Sequence, residues 1–197
     1  MTSIPSDEIA AAAARLVVEE GMEYGAAKRK AARTFGRGAQ SAELPSNEVV
    51  EDEVRAYIEL FHADTQPAEL AALREVARDW MERLAVFRPH LAGAVWRGTA
   101  TRLNNVQLEL FCDDAKEAEI ALINLGVPYD SGSLTRPRGR DVPVLSVSSR
   151  SRALGEHVTV HLTVLDHDDL RGALRADARG QTWRGDLGAL RALMERR

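Results

Sequence analysis

Apolar and polar positions change their period near Pro89: before it they recur at steps of three and four residues, and beyond it they alternate. Asp7 or Ser6 is placed to cap a helix through Ala10–Ala14, Leu16 and Val17 that runs to about Phe35. Gly21 and Gly25 weaken it, so a break is expected near Gly21. Gly36–Ser46, rich in Gly, Ser, Ala and Pro, reads as a linker. Ser46 and Asn47 open a second helix with Val50, Val54, Tyr57, Ile58 and Phe61 on one side. Asp64 or Thr65 caps a third, with Pro67 in its first turn and Leu70, Leu73, Ala77, Trp80, Leu84 and Phe87 as its apolar stripe. That stripe is too short for a sustained coiled coil, so docking on a sheet is expected, with a dimer seam as the alternative.

In the second half, Leu91–Trp96 reads as a first strand and Gly98-Thr99 as a turn. Val106, Leu108 and Leu110 then point to one face of a strand, Gln107 and Glu109 to the other. Asp113-Asp114 opens a helix over Ala115–Leu125, with Ala118, Leu122 and Leu125 inward and Gly126 closing it. Val127–Tyr129 is a short strand and Asp130–Asp141 a loop; Val142–Ser148 and Val158–Asp166 are further strands. In the last of these Val158, Val160, Leu162 and Val164 alternate against Thr159, His161 and Thr163. Asp168 or Asp169 caps a helix over Leu170–Ala176, Gly180–Gly185 turns, and Asp186 starts a final helix with Leu187, Leu190 and Leu193 as its stripe. The expected fold is α+β: a mixed sheet of about four to five strands covered by helices. Residues 1–45 are an all-helical extension with its linker, and residues 46–197 are the α+β domain with two leading helices.

Composition narrows the function classes. Across 197 residues, 45% are hydrophobic and 28% charged, as in globular domains rather than disordered chains. A net charge of −4 gives no general attraction to nucleic acid, so any such contact needs a local patch. Two stretches offer one: Lys28-Arg29-Lys30 with Arg33 and Arg37, and Arg136, Arg138 and Arg140 among Pro and Gly. Both also read as solvated cations, the first near a helix C-terminus. The single cysteine, Cys112, excludes internal disulfides and cysteine-rich zinc sites, and following an apolar strand it is expected to be buried and inert. No apolar run reaches the roughly 18 residues of a membrane span, and no signal peptide is evident, so no membrane partner and a cytoplasmic location are expected.

Candidate chemistry is thin. No GxxxxGK loop, GxSxG elbow or HExxH helix occurs. Asp166-His167-Asp168-Asp169 is the densest acidic cluster, but adjacent side chains at a strand end diverge, and capping explains them. His161, on a polar strand face near Gln107 and Glu109 if those strands are neighbours, is suited to acid–base work or to a hydrogen bond with a bound base; a histidine satisfied by a sheet neighbour is the plainer reading.

The run Gly93–Phe111 resembles the nucleotidyltransferase fold of the DNA polymerase β superfamily. There an apolar strand runs into a Gly-Ser or Gly-Thr turn, the next strand carries two carboxylates one residue apart, and a neighbouring strand supplies a third. Ala94-Val95-Trp96-Arg97-Gly98-Thr99 stands at the glycine turn and Asn104-Asn105-Val106-Gln107-Leu108 at the paired carboxylates. The connector from Gly98 to Asn105 is short, so the small helix usual there is expected to be missing. The chain also resembles a group of small bacterial proteins with a helical N-terminus, a run like F-x-P-x-L-x-G-x-V-x-x-G-T-A and a Leu-rich last helix. The resemblance implies a degenerate member. Asn105 and Gln107 replace the metal-binding carboxylates, and the third position falls near Thr159, His161 or Thr163. Amides supply oxygen without charge, and two Mg²⁺ ions need anionic ligands.

The reading is a non-catalytic nucleotidyltransferase-like domain without a metal site, binding a nucleotide, RNA or a protein partner. Its candidate cleft is Gly98, Thr99, Asn105, Gln107, Glu109 and His161, with Arg136, Arg138 and Arg140 as phosphate or nucleic-acid contacts. One alternative is an active nucleotidyltransferase or ligase with a rearranged Mg²⁺ site of Glu109, His161 and Asp166. The other is an interaction module docking on a protein or a second copy as a homodimer.

Overall fold

A computed structural model describes residues 6–36, 44–135, 141–171, 174–177 and 179–195. The chain forms two compact units, one of Met1–Leu70 with Thr99–Asn104, the other of Ala71–Gly98 with Asn105–Arg197.

The first unit is built on α1 (Ser6–Glu20), α2 (Tyr24–Thr34) and α3 (Asn47–Phe61). Their apolar stripes meet in one cluster that runs from Ile9, Ala13 and Val17 through Ala27 and Ala31 to Val50, Val54 and Ile58. The alanines let the helix axes approach closely while the β-branched residues fill the space between. The expected break falls at Gly21, whose φ of +66° suits glycine, and an added Cβ there would run into the Leu103 carbonyl. Ser46 caps α3, its hydroxyl accepting from the Val49 N–H at 3.3 Å. Residues 99–104 are held by buried polar bonds: Gln66 Nε2 donates to the Ala100 carbonyl at 2.9 Å, and the Thr101 N–H to Asn104 Oδ1 at 2.8 Å. Phe61 does not join the buried side of α3; it is 60% exposed, its ring tilted against Tyr57 with centroids 4.6 Å apart.

The second unit contains the sheet. The stripe of α4 (Gln66–Arg83) is buried as expected at Leu73, Ala77 and Trp80, and continues through Leu84 and Phe87. Among the described residues the strands are β1 (His90–Ala92), β2 (Val106–Phe111), β3 (Tyr129–Thr135), β4 (Asp141–Ser151), β5 (Glu156–Leu165) and β6 (Arg184–Gly185). Their order is β3-β4-β5-β2-β1-β6, with β2 and β5 parallel and the other pairs antiparallel. The fold is α+β, and the strand count of six exceeds the expected four to five. Leu91, Leu108, Leu145, Val160 and Leu162 form the buried face; α6 (Ala115–Asn124) buries Ala118 and Leu122, and α7 (Leu187–Glu195) buries Leu190. Asp114 caps α6 through the Lys116 N–H at 2.9 Å, and Asp186 caps α7 through Ala189 at 2.8 Å.

Several local expectations are corrected. The first strand stops at Ala92 rather than Trp96, because Gly93 takes φ +68° and opens a short helix, α5 (Gly93–Arg97). A short helix stands ahead of the Gly98–Asn105 connector, which itself forms no helix, and Gly98 closes α5 at φ +81° instead of forming the turn after a strand. The loop from Asp130 is strand as far as Thr135; its side chains are largely exposed and leave no alternation to read, and hydrogen bonding to β4 decides it. No α-helix starts at Leu170 among the described residues: His167–Leu170 is one 3₁₀ turn, and Ala176 bridges to Thr182. Leu125, expected inward on α6, is 47% exposed.

Candidate functional site

The face of the sheet opposite the buried one is polar. Strict alternation puts Gln107 and Glu109 of β2 beside Thr159, His161 and Thr163 of β5, and the parallel register pairs Gln107 with His161 and Glu109 with Thr163. β4 adds Ser146, the register partner of His161. Towards the other end of the same alternation the residues turn apolar, where Phe111, Val142 and Leu165 pack with Leu170. The face thus has a polar half and a plugged half.

His161 is the hub of the polar half. Asn105, just ahead of β2, places Nδ2 3.1 Å from His161 Nε2, and His161 Nδ1 lies 2.9 Å from Ser146 Oγ. An amide nitrogen only donates, so Nε2 accepts and Nδ1–H donates to the serine hydroxyl: one neutral tautomer satisfies the chain. Burial pushes the imidazole pKa below its ordinary value, which favours the same neutral form. Gln107 packs beside Gly93, where an added Cβ would sit 3.6 Å from Gln107 Cγ. Glu109 is not an open carboxylate: Arg184 of β6 donates Nη1 to its Oε2, both side chains being largely buried. The loop that carries Arg184 is anchored through α5. Trp96 Nε1 donates to the Thr182 carbonyl at 2.8 Å, and Arg97 pairs with Asp177 at 3.1 Å with both side chains buried.

The remaining candidates separate. Thr99 belongs to the helical unit and is buried there, its hydroxyl 3.1 Å from Tyr24 Oη. Arg136, Arg138, Arg140 and Arg37 lie outside the described residues. In the basic helix, Lys28 is engaged by the Pro45 carbonyl at 3.0 Å and Asn47 at 2.7 Å, and Lys30 by Glu20. Asp166 stands at the N-cap of the 3₁₀ turn without a side-chain capping bond, so the capping expected of this cluster is not made there, and among the described residues no three His, Cys, Asp or Glu side chains gather as a metal cage. Burial raises the Cys112 thiol pKa to about 11. The sequence pattern does not mark Arg184, Ser146 or Gly93 for the site.

The resemblance sets its glycine turn at Gly98-Thr99, whereas the glycine that ends the first strand is Gly93. Asn105 and Gln107 lie one residue apart at the start of β2, and His161 stands on its parallel neighbour β5, between Thr159 and Thr163 on the same face. No protein-family model matches this sequence, and no curated protein does. Solved structures show a distant likeness. The poly(U) polymerase Cid1 with MgGTP bound is 13% identical with a TM-score of 0.38, over 60% of this chain and 39% of that one. Cid1 in complex with the UTP analog UMPNPP is 16% identical, TM-score 0.36, over 61% and 37%. A cytoplasmic RNA terminal U-transferase is 16% identical, TM-score 0.37, over 59% and 36%. The matched stretches take up less than two-fifths of each of those chains. What the polar face can do is decided by its own chemistry.

Proposed function

We propose that this chain is a non-catalytic nucleotidyltransferase-like domain that binds a nucleotide on the polar half of its sheet without a metal ion. One observation carries the reading. Asn105 and His161, at two of the three positions where the fold's chemistry calls for carboxylates, are neutral and hydrogen-bonded to each other, with Gln107 as the neutral third. Two-metal transfer of a nucleotidyl group needs anionic oxygens to offset the charge of both ions and align the triphosphate, and amides and a neutral imidazole do not supply them. The one carboxylate on β2, Glu109, has its charge matched by Arg184. Amide, imidazole and hydroxyl groups, which both donate and accept, instead suit the edge of a nucleobase.

Titration calorimetry with UTP, ATP and GTP, each with and without Mg²⁺, tests this. Binding that does not depend on Mg²⁺, together with no transfer of labelled nucleotide to an RNA primer, is expected. Asn105→Asp with Gln107→Asp should make binding Mg²⁺-dependent by restoring charge at those positions. Magnesium-dependent transfer by the unaltered chain would overturn the reading.

A further inference from the structure

A concave site lies in the sheet-containing unit, between α4 and the β4–β5 turn, with a volume of about 740 Å³. That is within the range of pockets that hold small ligands. Its charge is unlike that of the chain as a whole. Arg78 and Arg83 line it from α4, and Arg150 and Arg152 from the end of β4, against two carboxylates, Glu75 and Asp79. Asp79 already pairs with Arg78 at 3.0 Å. The groove is therefore cationic in a protein of net charge −4. Arg150 and Arg152 are exposed, and no ion pair holds either of them among the described residues.

Donors outnumber acceptors throughout. Ser149 adds a hydroxyl to the lining. Trp80, 2% exposed, lines the groove, and its buried indole N–H has no acceptor among the described residues. Arg83 lies 5.2 Å from the centre of the same ring, which holds its guanidinium at the groove wall. Guanidinium forks and a hydroxyl together match the oxygens of a phosphate, which accepts at every position and carries compensating charge.

The structure assigns this groove as a binding site for a small ligand that carries a phosphate or pyrophosphate group, separate from the polar sheet face and independent of the function proposed there.

Inorganic pyrophosphate is the probe, titrated calorimetrically into the full chain, with sodium chloride at matched ionic strength as the reference. Saturable binding at one site is expected. Arg150→Gln with Arg152→Gln, both exposed positions, should weaken it at least about tenfold, the effect of losing charged hydrogen bonds. Trp80→Phe keeps a ring beneath Arg83 and should leave binding within about twofold, with the melting curve checking that the unit stays folded. No saturable binding would overturn the proposal. So would equal binding by the Arg150/Arg152 variant, or a loss produced instead by Asn105→Ala, which would move the ion to the sheet face.

Discussion

Arg97→Met tests how the site is held. The Arg97 and Asp177 side chains are only 3% and 2% exposed, with Nη2 and Oδ2 3.1 Å apart. Arg97 also donates Nη1 to the Thr182 carbonyl at 3.2 Å and stacks 4.2 Å above Trp183. Removing the cation leaves a buried carboxylate, a loss of about 3–5 kcal/mol in comparable pairs. Asp177 retains two backbone donors, Arg179 and Gln181, each 2.9 Å from Oδ1, so the lower end, about 3 kcal/mol, is expected. Those N–H groups, led by Gln181, and the guanidinium hold the Asp177 carboxyl below its ordinary pKa against the opposing effect of burial. A folded pKa below the unfolded one gives stability that is complete above pH about 4 and disappears as acid protonates the folded carboxylate. The Met variant should therefore be less stable at neutral pH and show a shallower acid limb. Urea unfolding followed by circular dichroism from pH 7 to pH 3 measures both, and a cycle with Asp177→Asn should show coupling above about 1 kcal/mol. A loss below about 1 kcal/mol for Arg97→Met, or strict additivity, would refute the anchor.

Three further outcomes follow from single residues. Gly21→Ala forces a side chain into φ +66° and against the Leu103 carbonyl, so it should cost at least about 2 kcal/mol in urea unfolding; a neutral result would remove the close approach. Cys112, with its thiol pushed to about 11, should react with a disulfide reagent at pH 8 at least about 100-fold more slowly than in the urea-unfolded chain, and equal rates would contradict its burial. His161, lowered by burial, binds fewer protons folded than unfolded as pH falls through about 6.5, so stability should drop there and His161→Gln should flatten that slope; urea midpoints from pH 8 to pH 5 decide, and an unchanged slope would sink the assignment.

Where one face of an element is buried, the sequence pattern was enough. The alternation in β2 and β5 was legible because each apolar side chain meets the core, and it put Gln107, Glu109 and His161 on one polar face before any pairing was known. β3 was not, because Asp130, Ser131 and Ser133 face solvent and only main-chain bonds to β4 make it a strand. The run Leu91–Trp96 is ambiguous in sequence because a short apolar stretch serves strand and helix alike, and Gly93 decides between them through its backbone. Arg184 was out of reach for another reason: it is 75 residues from Glu109, and nothing local marks a residue that long-range packing brings in.

The parallel pairing of β2 with β5 has a consequence for the order of assembly. β4 and β5 are joined by a tight turn and can zip together locally, whereas β2 reaches β5 only after the chain from Cys112 to Gly155 has been gathered in. The contact between Asn105 and His161 depends on that late step. A transiently opened molecule would keep its hairpin and give up the polar face first, so a nucleotide bound there as proposed would also act as the clasp on the middle of the sheet.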